Sequence, residues 1–480
     1  MRLCRLMLLL LATSCSSVNS DRPPRVEQAS AAIAAEMAEQ QIPGVALVAL
    51  RGDDLIVARG FGVEDAGRAD PVTPETVFAL GSIAKQFVAA LIVQLTERGR
   101  LGLDDPVAGH LPQFTRLPPG LTIRHLLNHT SGMRDEFIQP ELRGLFNLDT
   151  GFAQYAEAAR HSPADFAPGE RWSYANINYL MLGLIAERAG GAPLGRLAAE
   201  RLFRPLGLSS IGYCPNQPGR TRGEARGHVV SDGVFAPHPP ENFALFRASG
   251  GFCGSAIDVA RWTRALATGK VVSPQSYGDM TWPARLNDGS AADYGLGIML
   301  VAPDGVKRLG HGGYGGGFAA QIAYYPARQL TIAVLANRFI FAEHIERKVA
   351  RRLLGVADPQ PVVVPLSDRE RARFAGRYDI GVHGWPVMFA ERDGRLWFEL
   401  PAPSMKLPLA YLGNGRFVSS EDADGYQVEF SPDASSMRLL GMGMMHWYGR
   451  RIPPAGEGDA PYRPTKFGWR FSRNAATPSR

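Results

Sequence analysis

Strand-like segments lie at two widely separated places in the first 340 residues of the chain. Near the start, the turn RGDD separates two apolar runs, GVALVAL (44–50) and DLIVARGFG (54–62), a pattern that predicts a β-hairpin. Between residues 294 and 338 come four more runs, YGLGIML, VKRLGHGG, FAAQIAYY and LTIAVLANR. The economical arrangement is one antiparallel sheet built from both ends of this segment, with a helical subdomain inserted between its halves.

Three segments have the composition of helices that pack against such a sheet, namely 26–41, 82–98 and 340–354. The second segment has almost no polar face, which predicts a helix that is buried on all sides. After these segments, GVADPQPVVVPL (355–366) is typical of a linker. Short strand-like runs separated by RDG, GNG and SPDAS then predict a small antiparallel sheet or barrel over 367–453. The tail, 454–480, shows no clear pattern.

The N-terminus has the features of a secretory signal peptide over residues 1–14. Arg2 and Arg5 precede an apolar run and then small residues, and the run is too short to span a bilayer as a mature helix. Cys15 follows directly, as in a bacterial lipoprotein cleavage box, and residues 15–25 would form an exported tether. We therefore expect a periplasmic protein, either with a lipid at Cys15 or without one. An exported chain can oxidise Cys214 and Cys253 to a disulfide, although the sequence alone does not show that they meet.

Charge and metal-ligand patterns exclude several functions. The net charge is +6, but no run of five basic residues occurs, so nucleic-acid binding is not indicated. The sequence has no CxxC pair and no zinc spacing, and HLLNH (125–129) lacks the Glu of a zinc-protease helix. We interpret His125 and His129 as packing residues and predict no metal or cofactor.

Ser82 and Lys85, in the stretch GSIAKQF, form the first candidate for catalytic chemistry. Positions i and i+3 share one face of a helix, so Lys85 can reach the Ser82 hydroxyl. Apolar neighbours would desolvate Lys85 and favour the neutral amine that a serine nucleophile needs as a base. The alternative is structural, with Ser82 capping the helix and Lys85 extending towards solvent.

Two further stretches can complete such a site. In RWSYANIN, Tyr174 can serve as a phenolate base and Asn176 can bind both a substrate carbonyl and the lysine; the alternative is a capping turn with a core tyrosine. In LGHGGYGGGF, the backbone N–H of Tyr314 can pair with that of Ser82 as an oxyanion hole. A phosphate loop is excluded there, because no Gly-Lys-Ser/Thr follows.

Ser82-x-x-Lys85, Tyr174-x-Asn176 and His311-x-Gly313 occur in this order, and their spacing resembles the serine hydrolases of the class C β-lactamase and penicillin-binding-protein superfamily. Stretches similar to that family are LTIRHLLNHTSGM (121–133), FAPGERWSYAN, RPLGLSS (204–210) and SGGFCGSAIDVARW (249–262). The resemblance covers roughly residues 26–354. It implies an α+β fold, with helices on both faces of an antiparallel sheet, an inserted helical subdomain and a small β domain appended at the C-terminus.

The resemblance also implies roles for the site residues. Ser82 is the acylated nucleophile, Lys85 takes or relays its proton, and Tyr174 is the general base. Asn176 orients the substrate amide or ester, while His311 and Gly313 line the site from a strand.

One departure from the family pattern bears on the substrate. His311 stands where true class C β-lactamases and transpeptidases have Lys, and Gly312 stands where they have a hydroxyl residue. A histidine is only partly charged near pH 7, so the permanent cation that would hold a substrate carboxylate is lost. Relatives with His at this place are esterases and peptidases acting on D-amino-acid substrates.

We therefore expect a serine hydrolase that acts through an acyl-enzyme on small peptides with D-residues, including cell-wall fragments, or on simple esters. Two alternatives remain open. One is a β-lactamase or D-Ala-D-Ala carboxypeptidase; the other is a penicillin-binding or sensing protein that is acylated without turnover. The sequence gives no prediction of the oligomeric state.

Overall fold

The computed structural model describes residues 22–453, apart from 217, 220, 232–233, 303–304, 381–385, 401–404, 421–424 and 443–444. The predicted signal peptide (1–14), Cys15 with most of the predicted tether (15–25), and the predicted tail (454–480) therefore lie outside the described residues. Within the described residues, no helix combines the length and the apolar character needed to cross a membrane.

Helices in the described part of the chain are α1 (Arg22–Glu39), α2 (Ala84–Glu97), α3 (Val107–His110), α4 (Ile123–Leu127), α5 (Pro140–Arg143), α6 (Phe152–Ala159), α7 (Ile177–Gly190), α8 (Leu194–Ala198), α9 (Ala256–Ala267), α10 (Pro274–Met280), α11 (Ala342–Leu354) and α12 (Asp368–Phe374). Strands in the same part are β1 (Gly44–Arg51), β2 (Asp54–Gly62), β3 (Val77–Ala79), β4 (Gly212–Tyr213), β5 (His228–Ser231), β6 (Val234–Pro237), β7 (Phe252–Ser255), β8 (Ala284–Arg285), β9 (Ala291–Ala292), β10 (Met299–Val301), β11 (Arg308–Gly315), β12 (Phe318–Tyr325), β13 (Leu330–Ala336), β14 (Gly376–Asp379), β15 (Pro386–Arg392), β16 (Arg395–Leu400), β17 (Met405–Gly413), β18 (Arg416–Ser419), β19 (Gln427–Phe430), β20 (Ser436–Met442) and β21 (Met445–Ile452).

The central sheet joins the two ends of the segment between residues 44 and 336. Its six strands lie in the order β10-β11-β12-β13-β1-β2, and the pairs are antiparallel. β1 pairs with β13, with Val45 opposite Ala336, so the strand from the N-terminal hairpin lies beside the last strand of the later group. The prediction of one sheet built from both ends of the segment, with helices inserted between them, is confirmed.

Both faces of this sheet are covered by helices because alternate residues of a strand point to opposite sides. On β1, Val45 and Leu47 belong to the hydrophobic cluster that contains α1 and α11. Ala46 and Val48 belong to the cluster on the other face, which contains α2 and α9. The continuous apolar run of β1 therefore reflects burial on both faces, as in a strand at the centre of a layered fold.

Two predicted elements begin or end differently from the expectation. The segment 82–98 starts with a short 3₁₀ turn, Gly81–Ile83, before α2 begins. The run YGLGIML contributes only Met299 onwards to β10. Gly297 has a φ of +73°, and a Cβ there would lie 2.8 Å from the Cβ of Ala89, so the chain bends closely around α2 instead of extending as a strand.

The C-terminal part forms a closed barrel of β14 to β21, which confirms the predicted small antiparallel β domain. Six of its strands correspond to the strand-like runs of the sequence, which are GRYDI, PVMFAE, RLWFEL, GRFVSS, YQVEF and MRLLG. The sequence did not predict β17, β21 or the helix α12 that precedes the barrel. Ser367 begins α12 with a capping box to Glu370. At the other end of the helix, Phe374 is fully buried and its ring centre lies 4.8 Å from that of Phe430, so the helix end packs into the barrel core.

The barrel also packs against the domain that precedes it. Its core residues form one hydrophobic cluster with Trp172 and Tyr294, and Tyr174 packs at the edge of that cluster. Arg438 on β20 lies 3.9 Å from Asp293 across the same contact. The two predicted domains therefore share apolar packing, and the shared part includes residues beside the candidate site.

Cys214 and Cys253 form a disulfide, with Cα atoms 4.9 Å apart. Cys253 lies on β7, opposite Ala79 of β3, and Cys214 follows β4, which is the other neighbour of β7. The bond therefore fastens the segment after β4 to a small sheet whose strand β3 leads into Ser82.

We expect replacement of both cysteines by serine to destabilise the protein. A bridge between cysteines 39 positions apart lowers the conformational entropy of the unfolded chain. In the chain-entropy treatment, this raises the free energy of unfolding by roughly 3–4 kcal/mol. Urea unfolding of the oxidised wild type and of the double variant measures the loss. As a control, reductant should lower the unfolding midpoint of the wild type and leave the variant unchanged. An equal midpoint for reduced and oxidised wild type, with free thiols detected, would contradict the prediction.

Candidate active site

Ser82 lies where the 3₁₀ turn Gly81–Ile83 leads into the buried helix α2. Gly81 has a φ of +50°, and a Cβ at Gly81 would lie 2.4 Å from the backbone nitrogen of Tyr314. Glycine is required at this position both by its conformation and by the close approach of β11. The turn thus places the partly exposed Ser82 directly beside β11.

Lys85 lies one helical turn after Ser82 and makes three hydrogen bonds. Its Nζ lies 3.0 Å from Ser82 Oγ, 2.7 Å from Asn176 Oδ1 and 2.8 Å from the carbonyl oxygen of Ser249. An amide oxygen and a carbonyl oxygen can only accept, so Asn176 and Ser249 hold two hydrogens of Nζ in either protonation state. The remaining position of Nζ faces Ser82, with a hydrogen in the ammonium form and a lone pair in the amine.

The charge state of Lys85 suits this geometry. The side chain is fully buried, and burial lowers the pKa of Lys85 to about 7, although the negative charges of Glu136 and Asp135 act in the opposite direction. A large fraction of Lys85 is therefore the neutral amine near neutral pH, with its lone pair directed at the Ser82 hydroxyl.

Tyr174 lies against the same two residues. Lys85 Nζ is 4.8 Å from the centre of the Tyr174 ring, and the Tyr174 hydroxyl hydrogen-bonds with Ser82. Burial raises the pKa of Tyr174 well above its usual value, while the hydrogen bond with Ser82 lowers it in part. The resting site therefore holds a protonated phenol, and not the phenolate base that we inferred from the sequence, because burial penalises the phenolate.

Asn176 precedes α7 and is fixed by Asp135. The backbone N–H of Asn176 donates to Asp135 Oδ2 at 2.8 Å, and Asp135 Oδ1 also accepts from the N–H of Phe137 at 2.9 Å. Asp135 thereby ties the loop before Glu136 to the loop that carries Tyr174. Because Asn176 Oδ1 accepts from Lys85, its Nδ2 is the group that can donate to a substrate carbonyl.

His311 is fully buried on β11. Its Nδ1 lies 2.6 Å from the carbonyl oxygen of Gly312, which can only accept, so Nδ1 carries the proton. Nε2 then accepts from the hydroxyl of Tyr294 at 2.9 Å. Burial, together with the charge of Lys85, lowers the pKa of His311 to about 3. The expectation that His311 is partly charged near pH 7 is therefore wrong: the ring is neutral, and both of its nitrogens are bound within the protein.

Gly313 and Tyr314 form the side of the site that faces the Ser82 backbone. A Cβ at Gly313 would lie 1.9 Å from the carbonyl oxygen of Leu80 and 2.9 Å from the nitrogen of Ser82, so only glycine allows this contact. The Tyr314 hydroxyl donates to Glu343 at 2.6 Å, so the side chain is held by α11 on the other face of the sheet. The backbone nitrogen of Tyr314 lies against Gly81, the residue before Ser82, on the side where an oxyanion hole needs an N–H.

The structure thus places all seven predicted residues in one region, in three different ways. Ser82, Lys85, Tyr174 and Asn176 are joined by direct contacts. The ring of His311 is 6.3 Å from that of Tyr174, centre to centre. Gly313 and Tyr314 contribute through their backbone.

Four residues of the site were not among the sequence candidates: Asp135, Glu136, Ser249 and Tyr294. Ser249 acts through its carbonyl oxygen, which leaves no side-chain pattern in a sequence. Asp135 and Tyr294 hold Asn176 and His311 from other loops, and neither stands at a catalytic spacing. Asp135 lies two positions after the family-like stretch LTIRHLLNHTSGM (121–133), which was the available signal for it.

The two histidines of HLLNH have different surroundings. The ring of His125 completes a capping box with Thr122 at the start of α4, whereas His129 is fully buried with its ring centre 4.2 Å from that of Tyr174. Among the described residues, no group of three or more His, Cys, Asp or Glu could hold a metal ion.

The sequence of this chain is similar to a known protein family and to several named proteins. Residues 29–356 match the family model described as Beta-lactamase. The chain is 27% identical to penicillin-binding protein 4* of Bacillus subtilis, over 84% of this chain and 93% of that protein. It is 26% identical to a D-aminopeptidase of Brucella anthropi, over 71% of this chain and 68% of that protein.

A solved structure is similar over nearly the whole chain. The octameric penicillin-binding protein homologue from Pyrococcus abyssi has a TM-score of 0.65 and is 24% identical, with 88% of this chain and 100% of that chain covered. This similarity extends beyond the region that matches the family model and supports the fold assignment, including the barrel.

Proposed function

We propose a substrate class from the premise that the chain belongs to the β-lactamase family and is a serine hydrolase of that fold. The enzyme cleaves amide bonds in short peptides or amino-acid amides with D-residues, and it also cleaves simple esters. The observation that carries the mechanism is the set of partners around Lys85. Two acceptor-only oxygens hold two of its hydrogens, so the neutral amine directs its lone pair at Ser82.

In the acylation step, Ser82 Oγ attacks the substrate carbonyl carbon while its proton passes to Lys85 Nζ. The carbonyl oxygen becomes negative and is held by the backbone N–H groups of Ser82 and Tyr314. Asn176 Nδ2 orients the substrate. A base with a pKa of about 7 suits this transfer near neutral pH, because about half of it is unprotonated and it can still accept a proton.

In the collapse of this intermediate, the bond from the carbonyl carbon to the leaving group breaks. The protonated Tyr174 gives its proton to the leaving nitrogen or oxygen, and the Lys85 ammonium restores the proton of Tyr174. Water then attacks the acyl-enzyme by the same steps in reverse, which releases the acid and regenerates Ser82. This division of roles, with Lys85 as base and Tyr174 as acid, follows from the directions of the two pKa shifts.

The neutral state of His311 supports the choice of substrate. A ring whose two nitrogens are bound by Gly312 and Tyr294 offers no cation to a substrate carboxylate. Penicillins and peptides ending in D-Ala-D-Ala carry such a carboxylate next to the scissile bond, whereas amino-acid amides and simple esters do not. The D-aminopeptidase relative supports the D-residue.

A substrate panel tests this proposal. We expect D-alanine p-nitroanilide to be hydrolysed at least about tenfold better than its L-isomer, as judged by kcat/KM, and p-nitrophenyl acetate to be turned over readily. Nitrocefin should be a poor substrate. A clear preference for nitrocefin would favour the β-lactamase alternative. A stable penicilloyl-enzyme, seen by mass spectrometry without turnover of any substrate, would favour the binding or sensing protein.

We expect Tyr174→Phe to affect amides more than activated esters. A p-nitrophenolate leaves without a proton, whereas an amine leaving group needs one, so loss of the acid should lower kcat/KM for amides by about 10²–10⁴-fold and for p-nitrophenyl acetate much less. Both rates are measured on the same enzyme preparation, which removes errors in active-site concentration. Equal losses for the two substrates would contradict the role of Tyr174 as a proton donor.

We also propose that the chain is exported to the periplasm. The disulfide between Cys214 and Cys253 supports an oxidising compartment. Cell fractionation of the full-length protein tests export, and palmitate labelling of wild type against Cys15→Ala tests lipid attachment.

A further inference from the structure

His129 occupies a helix-ending position that usually holds glycine. It follows α4, where the N–H of His129 donates to the carbonyl of Leu126 and the N–H of Thr130 donates to that of His125, the bonding pattern of a Schellman motif. His129 has a φ of +62°, a left-handed conformation that favours glycine or asparagine. A fully buried histidine is thus held against a local backbone preference, as is common at functional positions.

The hydrogen bonds around the His129 ring fix the position of its proton. Nδ1 accepts from the backbone N–H of Ala175 at 3.2 Å and lies 3.1 Å from Asn178 Nδ2. Asn178 Oδ1 accepts from the Ser131 hydroxyl at 2.7 Å, and Ser131 Oγ accepts from the N–H of Met133 at 3.1 Å. The NH₂ of Asn178 is therefore left to donate to Nδ1, so Nδ1 is an acceptor and the neutral ring carries its proton on Nε2.

The face of the His129 ring lies against Tyr174. The ring centres are 4.2 Å apart with planes inclined by 36°, and the rings of Tyr294 and Tyr179 lie at 4.9 and 5.3 Å. Within the described part of the chain, His129 Nε2 is buried and has no hydrogen-bond partner. One imidazole thus touches both the ring of Tyr174 and the peptide N–H that follows it.

We propose that His129 is a positioning residue that fixes the Tyr174 ring and the turn from Tyr174 to Asn176. Stacking on His129 sets the tilt of the phenol towards Ser82. The hydrogen bond from the Ala175 N–H to His129 Nδ1 fixes the backbone conformation from which the Asn176 side chain reaches Lys85. This inference rests on the proposed function, since Tyr174 is the proton donor that His129 positions.

His129 and Lys85 pack against the same two rings, those of Tyr174 and Tyr179, so His129 is part of the surroundings that bury Lys85. Burial, with the charge of Lys85 when it is protonated, lowers the pKa of His129 well below its usual value, so the ring adds no charge to the site. The titratable side chains around the His129 ring come from several elements. Lys85 lies on α2, Tyr179 on α7 and His311 on β11. Tyr174 lies in the loop before α7, and Tyr294 lies in the loop before β10. Since burial lowers the pKa of Lys85, a smaller residue at 129 should let that pKa rise.

A double-mutant cycle with Tyr174→Phe tests the proposal on the full chain. His129→Phe keeps a stacking ring and the same backbone strain but removes the acceptor for Ala175. We expect it to lower kcat for an amino-acid p-nitroanilide by about 10–100-fold, with KM changed less than about threefold. In the Tyr174→Phe background the same change should cost at least about threefold less, because the Tyr174 hydroxyl is already absent and only the displacement of Asn176 remains. Rates are expressed per Ser82 that reacts with a fluorophosphonate, so misfolded protein does not count.

The pH profile of kcat/KM gives a second readout. His129→Asn, which tolerates the left-handed conformation but lacks the ring, should move the acid limb to higher pH. Ile33→Ala, which removes a fully buried side chain from the other face of the sheet, should leave the limb in place. An equal loss from His129→Phe in both Tyr174 backgrounds, or an unmoved limb in His129→Asn, would overturn the proposal. Failure of the proposed function itself would be seen separately, as absence of labelling at Ser82 in the wild type.

Discussion

Ser82→Ala is expected to remove turnover of every substrate while leaving the fold intact. Loss of the nucleophile of a serine hydrolase typically lowers kcat by about 10⁶-fold, and we expect a fall of at least about 10⁴-fold here. The Ser82 side chain makes no capping bond at its helix, and its hydrogen bonds are to Lys85 and Tyr174. Its removal should therefore change the free energy of unfolding by no more than about 1–2 kcal/mol.

A matched variant separates catalysis from stability. Ser273 begins α10, and its Oγ accepts from the N–H of Ser276 at 3.2 Å. Ser273→Ala should lower stability by about 1 kcal/mol and leave kcat unchanged, which is the reverse of the pattern for Ser82→Ala. The measurements are p-nitrophenyl acetate hydrolysis, mass spectrometry of the acyl-enzyme and urea unfolding. An acyl-enzyme on another residue in Ser82→Ala would assign the nucleophile elsewhere.

The architecture could be predicted because its strands have a strong local pattern. The runs that became β1 and β13 are mostly apolar, since the sheet is covered on both faces, and the turns beside them contain glycine or proline. β10 was predicted too long because the glycines of YGLGIML allow a close approach to α2, which depends on packing with distant residues. The helix α12 was missed because its apolar content is low and its burial comes from Phe374 alone.

The residues of the site could be predicted because the order and spacing of their three motifs identified them together. Their charge states could not be predicted from the sequence. The neutral form of His311 depends on Tyr294 and on complete burial, and both are set by tertiary packing. The same packing keeps Tyr174 protonated and lowers the pKa of Lys85. A sequence thus indicates which groups are present, whereas burial decides which of them is the base.

The barrel illustrates the same limit at the level of domains. Linker composition predicts a separation between the last strands and the central sheet, but it does not show that Trp172 and Tyr294 pack in one cluster with the barrel core. Since Tyr294 donates to His311, the barrel supports the wall of the site through apolar contacts. Such a contact surface is formed by residues far apart in sequence and has no periodic signature.

Lys85→Arg is expected to abolish the acid limb of the pH profile together with most of the activity. In the wild type, a base with a pKa of about 7 must be unprotonated, so kcat/KM for p-nitrophenyl acetate, which does not titrate, should rise with pH through about 7 and then level off. Below that limb it should fall about tenfold per pH unit, because one proton occupies the base. Arginine can still donate to Asn176 and Ser249 but does not lose its proton in this range.

The loss in Lys85→Arg should therefore be about 10²–10⁴-fold on the plateau, and raising the pH to 10 should not restore the rate. Lys348→Arg is the matched control, because the partly buried Lys348 of α11 pairs with Glu36 of α1 and arginine can keep that pair. His311→Gln should retain the limb near pH 7, since a ring with a pKa of about 3 does not titrate there. If Lys85→Arg kept the limb, or if His311→Gln lost it, the base would be a group other than Lys85, and the acceptor-only partners of Nζ would have to be assigned a purely structural role.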